Sequence, residues 1–367
     1  VTDSIAPELR VAGMVSGGLF TDFNNDGLVD LVLVGEWMPV SFFENTGSSF
    51  RPLGSETGLE FSNGWWNSIV GADFDKDGDI DYVAGNLGLN SWLKASPGEP
   101  LSMFADDFDR NGQVDPLVFH YVNGKNVPFH PRSALVMQMN YLERQFPTYR
   151  DFAAAGLHEI LDETQLKQAR NLNIYEFRSS YIENLGNNKF RLSPLPVITQ
   201  FAPVYGMLAD DFDDDGNYDV ILTGNSKTSN LTLGWHDASI GYLLKGMGDG
   251  SFSVMDGTES HLFADGDVKS LVRLNYRDTG SLVVVANNDD SLSFFRQKRG
   301  AGKVVGLPED SAYGYIRFND NSRQKIEFYK GYGYLSTQGN NLFTGKQVRQ
   351  IEIYNANHGL LRTLSFD

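Results

Sequence analysis

The chain has 367 residues, of which 30 are basic and 47 are acidic, so its formal net charge is −17. A chain this acidic is a poor candidate for binding nucleic acid through phosphates or an anionic membrane surface. The absence of cysteine excludes disulfides, thiolate zinc sites and cysteine nucleophiles. No apolar run approaches the roughly 18 residues of a membrane span.

One nine-residue pattern, D-F-[DN]-x-[DN]-G-x-x-D, recurs four times along the chain, at 22–30, 73–81, 107–115 and 211–219. We name these segments Asp loops 1 to 4. An apolar run follows each copy, so each unit predicts a strand, the Asp loop, a second strand, a turn, a third strand, a glycine-rich loop and a fourth strand. A fifth unit near 271–295 keeps the strands, but residues 275–278 read Asn-Tyr-Arg-Asp, and we expect no metal there.

Four-stranded units that recur every few tens of residues are typical of a β-propeller, in which each blade buries its faces against its neighbours. We therefore predict an all-β propeller over 1–300, with about five blades visible, as part of a larger seven-bladed unit. A small β-domain follows over 301–367. Because the chain starts at Val1 without Met or an apolar signal segment, we expect a processed piece of a longer protein. The alternative fold is a twisted β-sandwich.

The third and fourth motifs are 104 residues apart (211 − 107), which is long enough for an insertion. Leu135, Met139, Leu142 and Phe146 recur at helical spacing. Asp162, with Gln165 three residues later, has the pattern of a capped helix start. These signals predict a helical insertion over about 125–177, between two strands of the third blade.

The Asp loops have the pattern of a site for a hard cation. Oxygen-bearing residues at positions 1, 3, 5 and 9 surround a glycine at position 6, and position 7 can offer its carbonyl. Two carboxylates 4 Å apart repel by about 4 kcal/mol at an effective dielectric of 20, so several of them in one loop need a cation. Oxygen ligands favour Ca²⁺ over zinc or copper, and Mg²⁺ gives up its water reluctantly.

We predict about four calcium ions, one in each loop. The predicted ligand residues are Asp22, Asn24, Asp26, Leu28 and Asp30; Asp73, Asp75, Asp77, Asp79 and Asp81; Asp107, Asp109, Asn111, Gln113 and Asp115; and Asp211, Asp213, Asp215, Asn217 and Asp219. The helix–loop–helix calcium site is excluded because its position-12 Glu is replaced by apolar residues in all four loops. The alternative is a set of Asp-Gly turns in solvent.

These motifs and their flanks resemble the FG-GAP/VCBS repeat family of integrin-α-like β-propellers over about 11–295. Residues 303–367 are similar to the ASPIC/UnbV domain of bacterial surface proteins, through 331–336, 348–353 and a final turn at Gly359. Two segments depart from that second family, at 342–345 and 354–359. The resemblance implies calcium in the four loops and export to the bacterial cell surface.

The sequence contains no nucleophile motif, phosphate loop or pair of histidines at metal-ligand spacing. The tryptophans at 37, 65, 66, 92 and 235 suit core packing, and one of them could stack a sugar or anchor a partner. Our hypothesis is a calcium-binding, non-catalytic extracellular recognition or scaffold module whose partner is a protein or a glycan. The alternative is a glycan-active enzyme of the polysaccharide lyase type, which needs a basic and acidic cluster at the central channel or beside the insertion.

Overall fold

The computed structural model describes residues 2–227, 233–255, 257–276, 280–297, 303–329, 331 and 341–366. The protein is all-β, as predicted. After α1 (Thr2–Ile5) and a 3-10 turn (Pro7–Val11), the first sheet is an antiparallel meander in which each strand pairs with the next. Its strands are β1 (Met14–Thr21), β2 (Asp30–Met38), β3 (Ser41–Asn45) and β4 (Phe50–Pro52), and β5 (Gly64–Trp65) pairs with the far end of β2. A 3-10 turn (Ser55–Thr57) follows β4.

The second sheet is assembled from two distant parts of the chain. Its strands are β6 (Ser68–Ala72), β7 (Asp81–Gly85), β12 (Ser180–Asn184) and β13 (Phe190–Pro194). The free edge of β7 pairs with β12, with Ala84 opposite Ser180. The chain therefore leaves this sheet after its second strand and returns to complete it.

The excursion between β7 and β12 forms the inserted sheet. Its strands are β8 (Leu101–Asp106), β9 (Asp115–Val122), β10 (Lys125–Pro128) and β11 (Arg170–Ile174), in the order β10-β9-β8-β11. Five short helices lie between β10 and β11: α2 (Arg132–Gln138), α3 (Leu142–Gln145), α4 (Tyr149–Ala153), α5 (Leu157–Ile160) and α6 (Glu163–Gln168). Asp162 caps α6 together with Gln165, as the sequence predicted.

Short helices lie within the predicted insertion of about 125–177, but its two ends, at 125–128 and 170–174, are strands of the inserted sheet. The third unit is not a blade in series with the others. It is nested inside the second sheet, because β12 rather than β8 takes the hydrogen-bonding edge of β7. The nested unit has its own core, in which the helices cover one face of the sheet. Phe104, Phe119, Leu135 and Met139 belong to this core.

Two further sheets follow in the chain. After a 3-10 turn (Val197–Gln200), the third sheet contains β14 (Val204–Asp210), β15 (Asp219–Gly224), β16 (Tyr242–Gly246) and β17 (Phe252–Met255). After α7 (Gly257–Ser260), the fourth sheet contains β18 (Val268–Tyr276), β19 (Gly280–Asn287) and β20 (Ser293–Gln297). In the fifth unit, residues 275–278 stand where the Asp loop would be, and two of them, Arg277 and Asp278, lie outside the described residues.

The first, second, third and fourth sheets pack face to face in that order. Side chains alternate along a strand, so one strand can serve two cores. On β6, Ile69 joins the core shared with the first sheet, whereas Val70 joins the core shared with the third. On β14, Leu208 joins the core shared with the fourth sheet. The described sheets are open and form no closed barrel, so the propeller, with its count of blades, is not confirmed.

The described residues between 303 and 366 form a separate set of strands. The C-terminal sheet contains β22 (Ser311–Phe318), β23 (Arg323–Glu327), β25 (Val348–Asn355) and β26 (Leu360–Ser365), in the order β23-β22-β25-β26. Nearby, β21 (Val304–Gly306) pairs with β24 (Asn341–Phe343). These strands enclose a core that includes Ile316 and Ile351. Most of the 331–336 motif lies outside the described residues.

No helix in the described part of the chain is long and apolar enough to cross a membrane.

Candidate metal centres

All four Asp loops have one backbone conformation. Position 4 is left-handed in each, at Asn25, Lys76, Arg110 and Asp214, with φ of 56°, 64°, 59° and 63°. Position 6 is also left-handed, and the glycine there avoids the Cβ penalty. The phenylalanine at position 2 anchors the loop in a core, as Phe23 and Phe74 do at 2% exposure. The sequence pattern indicated the glycine and the phenylalanine but not the constraint at position 4.

Within each loop, side-chain oxygens accept hydrogen bonds from backbone N–H groups two to five residues further along. In loop 4, Asp213 Oδ1 accepts from Asp215 N (3.2 Å) and Asp215 Oδ1 from Asn217 N (2.8 Å). Asp211 Oδ2 accepts from Gly216 N at 3.0 Å. Loop 3 repeats these bonds at equivalent positions. These bonds stabilise the turn and fix the positions of the side chains that accept them.

The aspartate at position 9 has a different role in loops 1, 2 and 4, because it bonds to the third strand of its sheet. Asp81 accepts from Asn184 N (2.8 Å), Phe74 N (3.3 Å) and the Tyr181 hydroxyl (2.7 Å). Asp219 accepts from Gly246 N (2.9 Å) and Phe212 N (2.8 Å) in the same way. The sequence did not predict this hydrogen bonding between loop and strand. It suggested only that the carboxylate at position 9 completes the ring of metal ligands.

Three of the four loops bring three carboxylates together. One oxygen from each lies within 4.8 Å of the others in the following sets: Asp73, Asp75 and Asp77; Asp107, Asp109 and Asp115; Asp211, Asp213 and Asp219. Such clusters could hold a metal ion. In the described loop 1, Asp22, Asp26 and Asp30 do not converge in this way. The backbone carbonyls predicted as ligands at Leu28, Asp79, Gln113 and Asn217 stay a prediction.

Loop 2 fits a cation best. Asp73 is fully buried, and among the described residues neither of its carboxylate oxygens has a hydrogen bond of normal geometry, although the backbone N–H groups of Gly78 and Lys325 lie close enough to lower its pKa in part. Burial raises the pKa of Asp73 from 3.8 to about 7. Because buried polar atoms are nearly always paired, an unpaired buried carboxylate indicates a missing positive partner. In loop 1, Asp22 Oδ1 and Asp30 Oδ2 are also buried without a partner.

Loop 4 already has a positive partner. Lys245 on β16 lies 2.9 Å from Asp215 Oδ2 through its Nζ, and it also bonds to Asp213. Lys245 comes directly before the residue whose N–H donates to the position-9 aspartate. In the first and second sheets that place is taken by Glu44 and Glu183. One sheet therefore carries a cation where two others carry an anion.

The C-terminal strands and their turns contact three of the Asp loops, a contact that the sequence did not indicate. Lys325, whose side chain is 4% exposed, lies 3.3 Å from Asp22 O and 2.5 Å from Asn25 Oδ1 through its Nζ. Gln324 Nε2 donates to Asp73 O at 2.8 Å, and Gln347 Nε2 donates to Asp214 O at 3.1 Å. Loops 1, 2 and 4 thus hold the C-terminal sheet through their own backbone or side-chain oxygens.

A second feature, which we name the aromatic cavity, lies at the strand ends opposite the Asp loops. Its volume is about 380 Å³, and its lining includes Glu36, Trp37, Trp65, His130, Tyr205 and His236. Trp37 is left-handed (φ 59°) at a bulge in β2, a strained conformation for a bulky residue. Trp66 is buried in the core instead, so the two adjacent indoles face opposite ways.

Burial shifts the pKa values of three titratable groups that line the aromatic cavity toward their uncharged forms. Burial lowers the pKa of His130 and of His236, which favours the uncharged imidazoles at pH 7. His236 is 4% exposed, and its Nε2 has no hydrogen-bond partner among the described residues. Burial also raises the pKa of Glu36.

Comparison with known proteins gives a family match over a small part of the chain. Residues 22–84, which span Asp loops 1 and 2, match the model of the FG-GAP-like repeat. No curated protein matches the chain. Among solved structures, the chain is similar to the V. cholerae biofilm matrix protein Bap1, with 12% sequence identity over 96% of this chain and 50% of that one. The chain therefore spans about half the length of that protein, and the TM-score is 0.21.

Proposed function

We propose that this chain is a calcium-stabilised, non-catalytic recognition or scaffold module that acts outside the cell. The observation that carries the proposal is loop 2, where a fully buried aspartate with two unpaired oxygens lies beside two further carboxylates. The surrounding architecture is proposed to be a β-propeller of the FG-GAP/VCBS type, followed by an ASPIC/UnbV-like β-domain. The bacterial cell surface is the proposed location.

Calcium suits this site better than other common metals. The converging atoms are all carboxylate oxygens, and neither cysteine nor histidine takes part. A flexible ring of oxygens is the ligand set that Ca²⁺ prefers, whereas zinc and copper favour nitrogen and sulfur. Extracellular modules typically bind Ca²⁺ with dissociation constants of about 10⁻⁴ to 10⁻³ M, which is consistent with a structural ion outside the cell.

The proposed role of the ion is to hold neighbouring sheets together. Each Asp loop joins the first two strands of a hairpin, and its position-9 aspartate reaches the third strand in the first, second and third sheets. Its phenylalanine enters the hydrophobic interior, as Phe74 does in the core between the second and third sheets. Neutralising the carboxylates would therefore stabilise the hairpin, the sheet and the contact between sheets together.

The aromatic cavity is the proposed recognition site, and its chemistry favours a glycan. Flat indole rings stack against the apolar faces of sugar rings, and uncharged imidazoles can exchange hydrogen bonds with hydroxyl groups. We expect Trp65→Ala to abolish binding to any glycan that the protein retains on an array, with Trp92→Ala as the control because Trp92 is exposed and does not line the cavity. Equal glycan binding by both variants would contradict recognition of the glycan in this cavity.

One observation favours the enzyme alternative. Glu36, His130 and His236 line the same cavity beside the inserted sheet, where an acid and a base could meet a polysaccharide. Release of products from a polysaccharide by the purified protein, with loss of that release in Glu36→Gln, would support a lyase or a hydrolase. Binding without product release would support the recognition module.

Calcium removal tests the main proposal. A ligand at 100 times its Kd stabilises the folded state by about 2.7 kcal/mol, so dialysis against a chelator should lower the melting temperature measurably. Adding calcium back should restore it, and the same concentration of magnesium should restore it less. An unchanged melting curve in chelator would contradict the proposal.

A further inference from the structure

We propose that Lys245 takes the place of the calcium ion in Asp loop 4, so that this loop is closed by the chain's own ammonium group and binds no metal. The inference rests on the proposed calcium binding of the other loops and refines it. It also reduces the number of ions expected from the four motifs.

The contacts of Lys245 carry the first step. Its Nζ bonds to the carboxylates at positions 3 and 5 of the loop, Asp213 and Asp215. Those are two of the positions from which a calcium ion in this motif would draw its ligands. A divalent ion beside the ammonium would meet like-charge repulsion, and it would have to share both carboxylates.

The pairing of the remaining oxygens carries the second step. In loops 1 and 2, ligand-position carboxylates keep buried oxygens without partners, at Asp22, Asp30 and Asp73. Within the described chain, no carboxylate oxygen at a ligand position of loop 4 is left in that state. Both carboxylate oxygens of Asp219 accept hydrogen bonds from backbone N–H groups. The ligand-position carboxylates of the described loop 3 show the same pairing without a lysine, so the contact with Lys245 is what distinguishes loop 4.

The equivalent strand position carries the third step. Glu44 and Glu183 occupy the place of Lys245 in the first and second sheets, and each forms an ion pair with an arginine of the following strand, Arg51 and Arg191. A glutamate there places negative charge beside the loop, as shown by Asn24 of loop 1, whose Nδ2 donates to Glu44 Oε1 at 3.5 Å. The chain thus places an anion beside loops 1 and 2 and a cation beside loop 4.

The test counts bound calcium ions by native mass spectrometry in the wild-type protein and in variants, with folding checked by circular dichroism. We expect Asp211→Asn to leave the wild-type count unchanged, because loop 4 binds no ion. Lys245→Glu should raise the count by one, and adding Asp211→Asn to it should remove the extra ion. Lys167→Glu is the control, since it makes the same charge change on an exposed helix.

Lys245→Gln keeps the test decisive if the glutamate variant fails to fold, because it removes the ammonium without adding a charge and should also gain one ion. Loss of one ion in Asp211→Asn alone would overturn the inference. An unchanged count in the folded Lys245→Glu and Lys245→Gln variants would overturn it too. Absence of calcium from every protein would overturn the proposed function along with it, whereas calcium that is insensitive to Lys245 overturns the inference alone.

Discussion

Replacing Asp73 with asparagine should have opposite effects on stability without and with calcium. Burial raises the pKa of Asp73 from 3.8 to about 7, a difference of about 3 units. At 1.36 kcal/mol per unit, the ionised carboxylate costs the calcium-free fold about 4 kcal/mol at pH 8. The neutral amide of Asp73→Asn removes that cost, so the calcium-free variant should be more stable than the wild-type protein.

With calcium the sign should reverse, because the substitution removes a charged ligand and weakens binding. The wild-type protein at 100 times its Kd gains about 2.7 kcal/mol from calcium, and the variant should lose most of this gain. Urea unfolding at pH 8, with and without calcium, measures all four free energies. Asp289→Asn is the matched control, since Asp289 is exposed and lies outside the loops.

If Asp73→Asn changes the free energy of unfolding in the same direction and by the same amount with and without calcium, the reasoning is refuted. That result would mean that Asp73 contributes to packing alone. The control should show no change of more than about 0.5 kcal/mol in either buffer, as is usual for surface substitutions.

Two further predictions concern pH and packing. Burial raises the pKa of Asp81 to about 8, so the stability that its protonated form gives the calcium-free fold is fully present below pH 3.8 and is lost as the pH rises through about 8. The melting temperature of the calcium-free protein should therefore fall between pH 5 and pH 8. A melting temperature that rises over this range would contradict the prediction. Gly85→Ala should destabilise the protein by about 1–3 kcal/mol, because an added Cβ would lie 2.6 Å from Val204 O between the second and third sheets. Gly306→Ala, with open space around it, should change stability little, and equal urea midpoints for the two variants would argue against the face-to-face packing.

Local features of the fold could be predicted from the sequence. The repeated motif indicated the hairpins, because its glycine and alternating oxygens specify a tight turn wherever they occur. The helix start at Asp162 followed from its capping pattern, which depends only on residues three positions apart. Loops 2, 3 and 4 each bring three of the predicted ligands together for the same reason.

Long-range features could not be predicted. Nothing in the spacing of the motifs shows that β7 pairs with β12 across an inserted unit, because strand pairing depends on edges that meet only after folding. The hydrogen bond from Lys325 to Asn25 of loop 1 joins residues that are about 300 positions apart in the sequence, and no local pattern predicts it. Lys245 was visible in the sequence, but only the register of β16 shows that it faces Asp213 and Asp215.

Calcium bound at loop 2 is the central claim, and a crystal structure grown in calcium tests it most directly. An anomalous difference peak in contact with carboxylate oxygens of Asp73, Asp75 and Asp77 is the predicted result. A well-ordered loop 2 that shows only water in that position at millimolar calcium would contradict the account.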